Sequence, residues 1–169
     1  WCVFDIQTEP NNFTDNSWNF PKPLWGSCPS SISNSPAFYL DPNGITVVCA
    51  NANIGDTGEV NGIVYRKRSG DQIRSLIDNE EWSHSQKIEQ TCTSGITDMS
   101  GMFSSWTGSG YQFNQDIGNW DTSNVTNMYQ MFQNASDFNQ DLSGWCVSNI
   151  TSQPTSFDAG ANSWSLPLP

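Results

Sequence analysis

Two aspartates stand 25 residues apart in matching words, Phe113-Asn114-Gln115-Asp116-Ile117 and Phe138-Asn139-Gln140-Asp141-Leu142. If the words stack at the spacing of neighbouring strands, about 5 Å, the carboxylates of Asp116 and Asp141 repel each other. A calcium ion held by the pair and by nearby amide oxygens would relieve that repulsion. The alternative is structural. Columns of Asn114 over Asn139, Gln115 over Gln140 and Asp116 over Asp141 would form side-chain ladders that satisfy backbone groups at the corners of a stack. The turn Asp41-Pro42-Asn43-Gly44 offers oxygen ligands too, but lacks the further acidic spacing of an EF-hand loop, so it reads as a turn.

Eight tryptophans raise the possibility of sugars stacking on exposed indoles. Trp120 and Trp145 fall on equivalent positions of the repeated text and read as core filling. Trp1, Trp18 and Trp164 belong to a phrase shared by the two ends of the chain and read as junction packing. Trp82 and Trp106 escape both explanations and are the candidate ligand contacts, Trp106 because it sits in a short insertion where function is readily grafted. Catalysis finds little support. His84 stands alone in Ser83-His84-Ser85-Gln86 with no nucleophile beside it, and Glu80-Glu81 reads as the wet end of a helix. A glycosidase needs two carboxylates held across a cleft, which no segment here suggests. The expectation is a protein that is not an enzyme, without cofactor unless calcium binds.

The five cysteines are explained by the shared phrase. The chain opens Trp1-Cys2-Val3, with Ile6, Pro10 and Phe13 following; Trp145-Cys146-Val147, Ile150, Pro154 and Phe157 repeat it 144 residues later. After a shift of two residues, Ser17-Trp18, Pro21 and Pro23 return as Ser163-Trp164, Pro167 and Pro169. A segment that closes on its opening words reads as a piece of a tandem array with a unit of about 145 residues. The opening copy runs on to Cys28, whereas the closing copy stops short of that point. On this unit logic Cys2 pairs with Cys28, Cys49 pairs with Cys92, and Cys146 is left unpaired by truncation; spacing alone leaves three pairings of four cysteines open. Bridges imply an oxidising compartment. A metal site is disfavoured by the single His and the lack of any C-x-x-C pair.

The elements that must hold these residues fall into three stretches. Residues 1–36 are the end of a preceding unit and a linker. Residues 37–94 are a β-rich leading module. Its strands lie at Phe38 to Leu40 and Ile45 to Cys49, with a hairpin turning at Asn61-Gly62 between Glu59-Val60 and Ile63 to Tyr65. A helix of about ten residues follows, capped by Ser69 or Asp71, with Ile73, Leu76 and Ile77 on its apolar face. Thr91 to Thr93 return as a strand. Residues 95–169 repeat on a period near 25. Ile96-Thr97-Asp98-Met99-Ser100-Gly101-Met102-Phe103 matches Val125 to Phe132, but reaches the next Phe with four extra residues around Trp106 to Gly110. Apolar positions every three to five residues suit a coil that turns a corner every few residues, and each coil leaves its apolar edge open unless the next covers it. The expected fold is mainly β with short helices: a short LRR-like solenoid of about 25-residue coils behind a disulfide-stapled module.

The words Val125-Thr-Asn-Met-x-x-Met-Phe132 and Phe138-Asn-Gln-Asp-Leu-x-x-Trp145 resemble the BspA-type, or DUF285, repeat of bacterial surface proteins. The stretch from Tyr39-Leu-Asp-Pro-Asn-Gly44 to Tyr65-Arg-Lys-Arg68 is similar to the module that introduces such repeats in Bacteroidetes tandem-repeat proteins. The resemblance implies an LRR-like solenoid on secreted or cell-surface proteins, often linked to adhesion, with no family-wide catalytic residues. About two and a half repeats are present, fewer than family members often carry.

The remaining features bound partners and location. Charged residues make up 14% of the chain and the net charge is −11, which disfavours a phosphate-binding surface. Arg66-Lys67-Arg68 is the only basic run and too short for nucleic acid. No apolar run reaches the roughly 18 residues of a membrane span. Sequons at Asn12, Asn124, Asn134 and Asn149 mostly fall inside the repeat text and read as repeat chemistry. The expected role is a structural unit of a long extracellular or cell-surface bacterial protein, a fibre, stalk or adhesin, whose partners are neighbouring copies joined covalently or head to tail. The alternative is a glycan-binding module of a secreted protein.

Overall fold

The computed structural model describes residues 36–79, 88–104 and 112–169. Expectations placed on Cys2, Cys28, Trp82, His84 and Trp106 lie outside the described residues, as do those on Trp1, Trp18 and residues 1–35 as a whole. What is described is mainly sheet with one helix, and it contains no closed barrel.

Strands β1 (Tyr39–Leu40) and β2 (Val47–Val48) pair antiparallel. Side-chain bonds build the turn between them. Asp41 Oδ1 accepts from Asn43 N at 2.9 Å, and Asn43 Oδ1 accepts from both Ile45 N and Thr46 N at 2.9 Å, as expected of Asx residues that hold their own backbone. Strands β3 (Thr57–Val60) and β4 (Ile63–Lys67) form the hairpin, with Asn61 at φ 52° and Gly62 at φ 81°. Both turn residues are left-handed, the geometry that matches strand twist and that Asn-Gly accepts at little cost. Strand β5 (Thr91–Cys92) adds to β4 in parallel, Arg66 opposite Thr91 and Lys67 opposite Cys92.

The Cys49–Cys92 disulfide joins the end of β2 to β5 and lies wholly out of solvent. Around it pack Phe38, Val47, Ala52, Val60 and Tyr65 as one small core.

Helix α1 (Gly70–Asp78) starts on a reciprocal cap: Ser69 Oγ accepts from Gln72 N, and the Gln72 side chain accepts from Ser69 N. Its apolar face, Ile73, Leu76 and Ile77, is buried in the second, larger core together with Ile96, Met99 and Phe103. Grouped by sequence with the leading module, the helix packs its apolar stripe onto the repeated text.

Three segments of that text, 96–104, 125–135 and 150–161, lie side by side. Met99, Gly101 and Phe103 donate their amides to the carbonyls of Asn127, Tyr129 and Met131, each at 2.9 Å. Gln130, Phe132 and Asn134 then donate to Thr155, Phe157 and Ala159 at 3.2, 2.8 and 2.8 Å. A parallel bridge pairs Asp98 with Asn127. The side chains of these segments fill one core: Phe103 stacks on Phe113 with centroids 4.3 Å apart, Phe132 on Phe138 at 4.3 Å, and Phe157 meets Phe132 edge-on at 5.4 Å.

Candidate functional site

Trp120 and Trp145, spaced by one repeat, are buried and parallel in that core. Each later indole is tied to the segment before it. Trp145 Nε1 donates to the Ile117 carbonyl at 3.0 Å and Trp164 Nε1 to the Gln140 carbonyl at 3.1 Å. Gly118 lets the neighbouring segment come close, since a Cβ there would lie 2.8 Å from the Asp141 carbonyl oxygen.

The asparagine column is a chain of bonds. Asn114 Oδ1 accepts from Asn139 N and Gln140 Nε2, both at 2.8 Å. Asn139 Oδ1 accepts from Ser165 N at 2.9 Å and Leu166 N at 3.1 Å. The aspartate column behaves differently. Asp116 Oδ1 accepts from Gly118 N, and Asp141 Oδ1 from Ser143 N, each within its own turn. The Ser143 hydroxyl and amide hold the Asp141 carboxyl below the usual range, against a small opposing effect of burial. Both carboxylates are exposed. Among the described residues no group of three or more His, Cys, Asp or Glu converges as a metal site.

Asp121 and Cys146 occupy equivalent places, one residue after Trp120 and Trp145. Asp121 is buried. Its Oδ1 accepts from Ser123 N and Ser123 Oγ, and its Oδ2 accepts from Ser94 Oγ at 2.5 Å, which in turn accepts from Cys49 N. The carboxylate thereby joins the repeated text to the disulfide module. Cys146 is exposed and carries a free thiol, with Sγ 3.4 Å from Ser148 Oγ. The Ser148 hydroxyl and amide lower its pKa from the ordinary thiol value, opposed by burial and by Asp121 and Asp41.

A cleft of about 600 Å³ opens beside the start of α1, lined among others by Ile54, Lys67, Asp71, Arg74, Thr97 and Asp98. Lys67 Nζ donates to three backbone carbonyls, Cys49 at 3.0 Å, Ala50 at 3.3 Å and Ala52 at 2.9 Å, so a side-chain cation holds the 49–52 loop together. Arg68, buried alongside, donates to Thr91 Oγ1 at 2.7 Å, and burial together with Arg66 lowers its guanidinium pKa. Arg74 Nη2 donates to the carbonyls of Asp98 and Ser100, and the guanidinium lies 3.7 Å from a carboxylate oxygen of Asp71 and of Asp98. Sequence reasoning passed over this place. Asp71 reads there as an alternative cap of the helix and Asp98 as repeat text, and Arg74 is not singled out; nothing in their spacing shows that α1 lies across the first repeated segment.

No helix among the described residues is long and apolar enough to cross a membrane. Comparison with curated proteins and with solved structures gives no match. A family model described as "Mycoplasma protein of unknown function, DUF285" matches residues 71–167. The match begins in α1 and runs through the last repeated segment, more than half of the chain, and the protein belongs to the DUF285 family.

Proposed function

We propose that this chain is a non-enzymatic building unit of a long extracellular tandem-repeat protein of BspA type, a fibre, stalk or adhesin. In this reading the segments at 96–104, 125–135 and 150–161 are coils of a short LRR-like solenoid. The observation that carries it is the repeated pairing. Three alternate amides of each segment donate to alternate carbonyls of the next, in a register that shifts by one residue between the two junctions, so further coils or units can extend the row with bonds of the same kind. The recurrence of one phrase after 144 residues supports a tandem arrangement of units. The buried Cys49–Cys92 bridge suits an oxidising, extracellular setting and limits the extension of a module under tension.

The intact mass of the native material, with and without reductant, tests the proposal. Masses spaced by one unit of about 145 residues support the array; a single species carrying one copy overturns it.

A further inference from the structure

We propose that the cleft beside α1 binds a neutral, hydroxyl-rich oligosaccharide. Its volume, about 600 Å³, falls within the 300–1,000 Å³ usual for small-ligand sites. It is lined by three cations and two carboxylates, and the cations are held by their neighbours: Arg68 is buried and donates to Thr91 Oγ1. All three Nζ donors of Lys67 are directed at backbone carbonyls. Arg74 lies between Asp71 and Asp98, so the charge of its guanidinium is balanced on both sides. What remains is an alternation of donors and acceptors. Arg74 Nη1 lies 3.7 Å from Asp71, too long for a hydrogen bond. The side chains of Asp71 and Asp98 are 99% and 55% exposed and keep acceptor capacity. Gly70 and Asp71 occupy the first helical turn, where amides have no partner within the helix.

A sugar hydroxyl donates and accepts at once, so adjacent hydroxyls fit such an alternation. A polyanion would meet the same carboxylates on a chain of net charge −11. The rim supplies the complementary apolar contact: Ile54 lines the cleft and is 58% exposed, the most open of the large apolar side chains described. The walls are fixed beforehand by the reciprocal cap on α1, the Lys67 bonds and the Cys49–Cys92 bridge, which lowers the ordering cost of binding. A Cβ on Gly70 would lie 3.0 Å from Arg74 Nη1, so the glycine lets the guanidinium lie close against the start of the helix.

The test is a ¹⁵N-edited NMR titration of the whole chain with cellohexaose, laminarihexaose and maltohexaose, and with a guluronate hexamer as the charged comparison. The expected result is saturable shifts of the Gly70, Asp71, Thr97 and Asp98 amides with at least one neutral probe. Arg74→Gln should weaken that binding by about tenfold or more. Asp71→Ala and Ile54→Ser alter exposed side chains only, so their severalfold losses can be read without a change of fold. Arg74→Gln is scored on a sample whose remaining amide spectrum matches the parent. The proposal is overturned if no neutral probe shifts these amides, if Asp71→Ala, Ile54→Ser and Arg74→Gln all bind like the parent, or if only the guluronate hexamer binds.

Discussion

Trp145 lies parallel to Trp120, with ring planes 4° apart and centroids separated by 6.4 Å, yet only Trp145 has a partner for its indole N–H. Trp145 donates to the Ile117 carbonyl; the buried Nε1 of Trp120 meets no acceptor among the described residues. Replacement by Phe therefore separates two effects that share a similar loss of volume. Trp145→Phe removes a net hydrogen bond, whereas Trp120→Phe removes a donor that was already unsatisfied. We expect Trp145→Phe to be the more destabilising of the two by about 1 kcal/mol. Urea unfolding of both variants checks this, and equal losses would show that the indole bond contributes nothing.

The disulfide gives the largest single expectation. Cys49 and Cys92 enclose a sequence separation of 43 residues, for which the loss of chain entropy in the unfolded state is worth about 4 kcal/mol. Cys49→Ser with Cys92→Ser should lose roughly that much. Neither sulfur is accessible, so a mild reductant should leave the bridge intact until the module opens. Rapid reduction of the native protein, followed by mass after alkylation, would contradict the buried placement.

The module and the repeats were legible in the sequence to different depths. Asn61-Gly62 announced its hairpin because few residue pairs accept two left-handed conformations in succession. The sequence left Ser69 and Asp71 both open as the cap of α1; Ser69 takes the place because Gln72, three residues on, completes the reciprocal cap. The two columns, Asn114 with Asn139 and Asp116 with Asp141, were visible as equivalent positions, but their division of labour was not. The asparagines bond across segments and the aspartates within their own turns, a choice made by side-chain direction, which a period of 25 does not encode. The packing of α1 was hidden for a similar reason. Its apolar spacing shows that a face is buried and leaves open what buries it, so the cleft formed where Arg74 meets Asp98 had no local signal. Asp121 was hidden by its ordinary context, although its equivalence to Cys146 marks the position.

That equivalence makes Cys146 chemically distinct. Ser148 Oγ lies 3.4 Å from its sulfur in the place where Ser123 donates to the Asp121 carboxylate, and hydrogen bonding to the Ser148 hydroxyl and amide favours the thiolate. Ser148→Ala removes the hydroxyl and should raise the thiol pKa toward its ordinary value. Alkylation of Cys146 at neutral pH should then slow severalfold. Iodoacetamide kinetics against pH give both the midpoint and the rate. A variant whose midpoint does not move would show that Ser148 has no hold on the sulfur.

Acid should loosen the junction of the first two repeated segments. The Ser100 hydroxyl and amide, and then Asn127 and Arg74, lower the pKa of Asp98 against the opposing effect of burial. A carboxyl whose folded pKa is depressed contributes stability that is present above its unfolded pKa, near 4, and lost as pH falls through the folded value. The melting temperature should fall as pH drops from about 5 toward 2. In Asp98→Asn that fall should be shallower, because the substituted amide does not titrate. Identical profiles for the two proteins would assign the acid sensitivity to other carboxylates.

In the return after the last repeated segment a single side-chain oxygen receives two amides, beside the Leu142 amide's bond to the Pro167 carbonyl. Asn139 Oδ1 accepts from the amides of Ser165 and Leu166, while Trp164 remains tied independently to the Gln140 carbonyl. Asn139→Ala should therefore free the two amides without unseating the indole. With roughly 1 to 1.5 kcal/mol lost locally, their hydrogen exchange should quicken by about tenfold. Amides inside the larger core, such as Phe132, should keep their protection, since Phe132 donates to the Phe157 carbonyl and not to Asn139. Asn114→Ala is the matched comparison: it withdraws the acceptor of the Asn139 amide and should speed exchange there while Ser165 and Leu166 stay slow. If either variant instead raised exchange throughout 112–169, the column would be a cooperative element of the whole repeated region, and a column of independent bonds would be the wrong description.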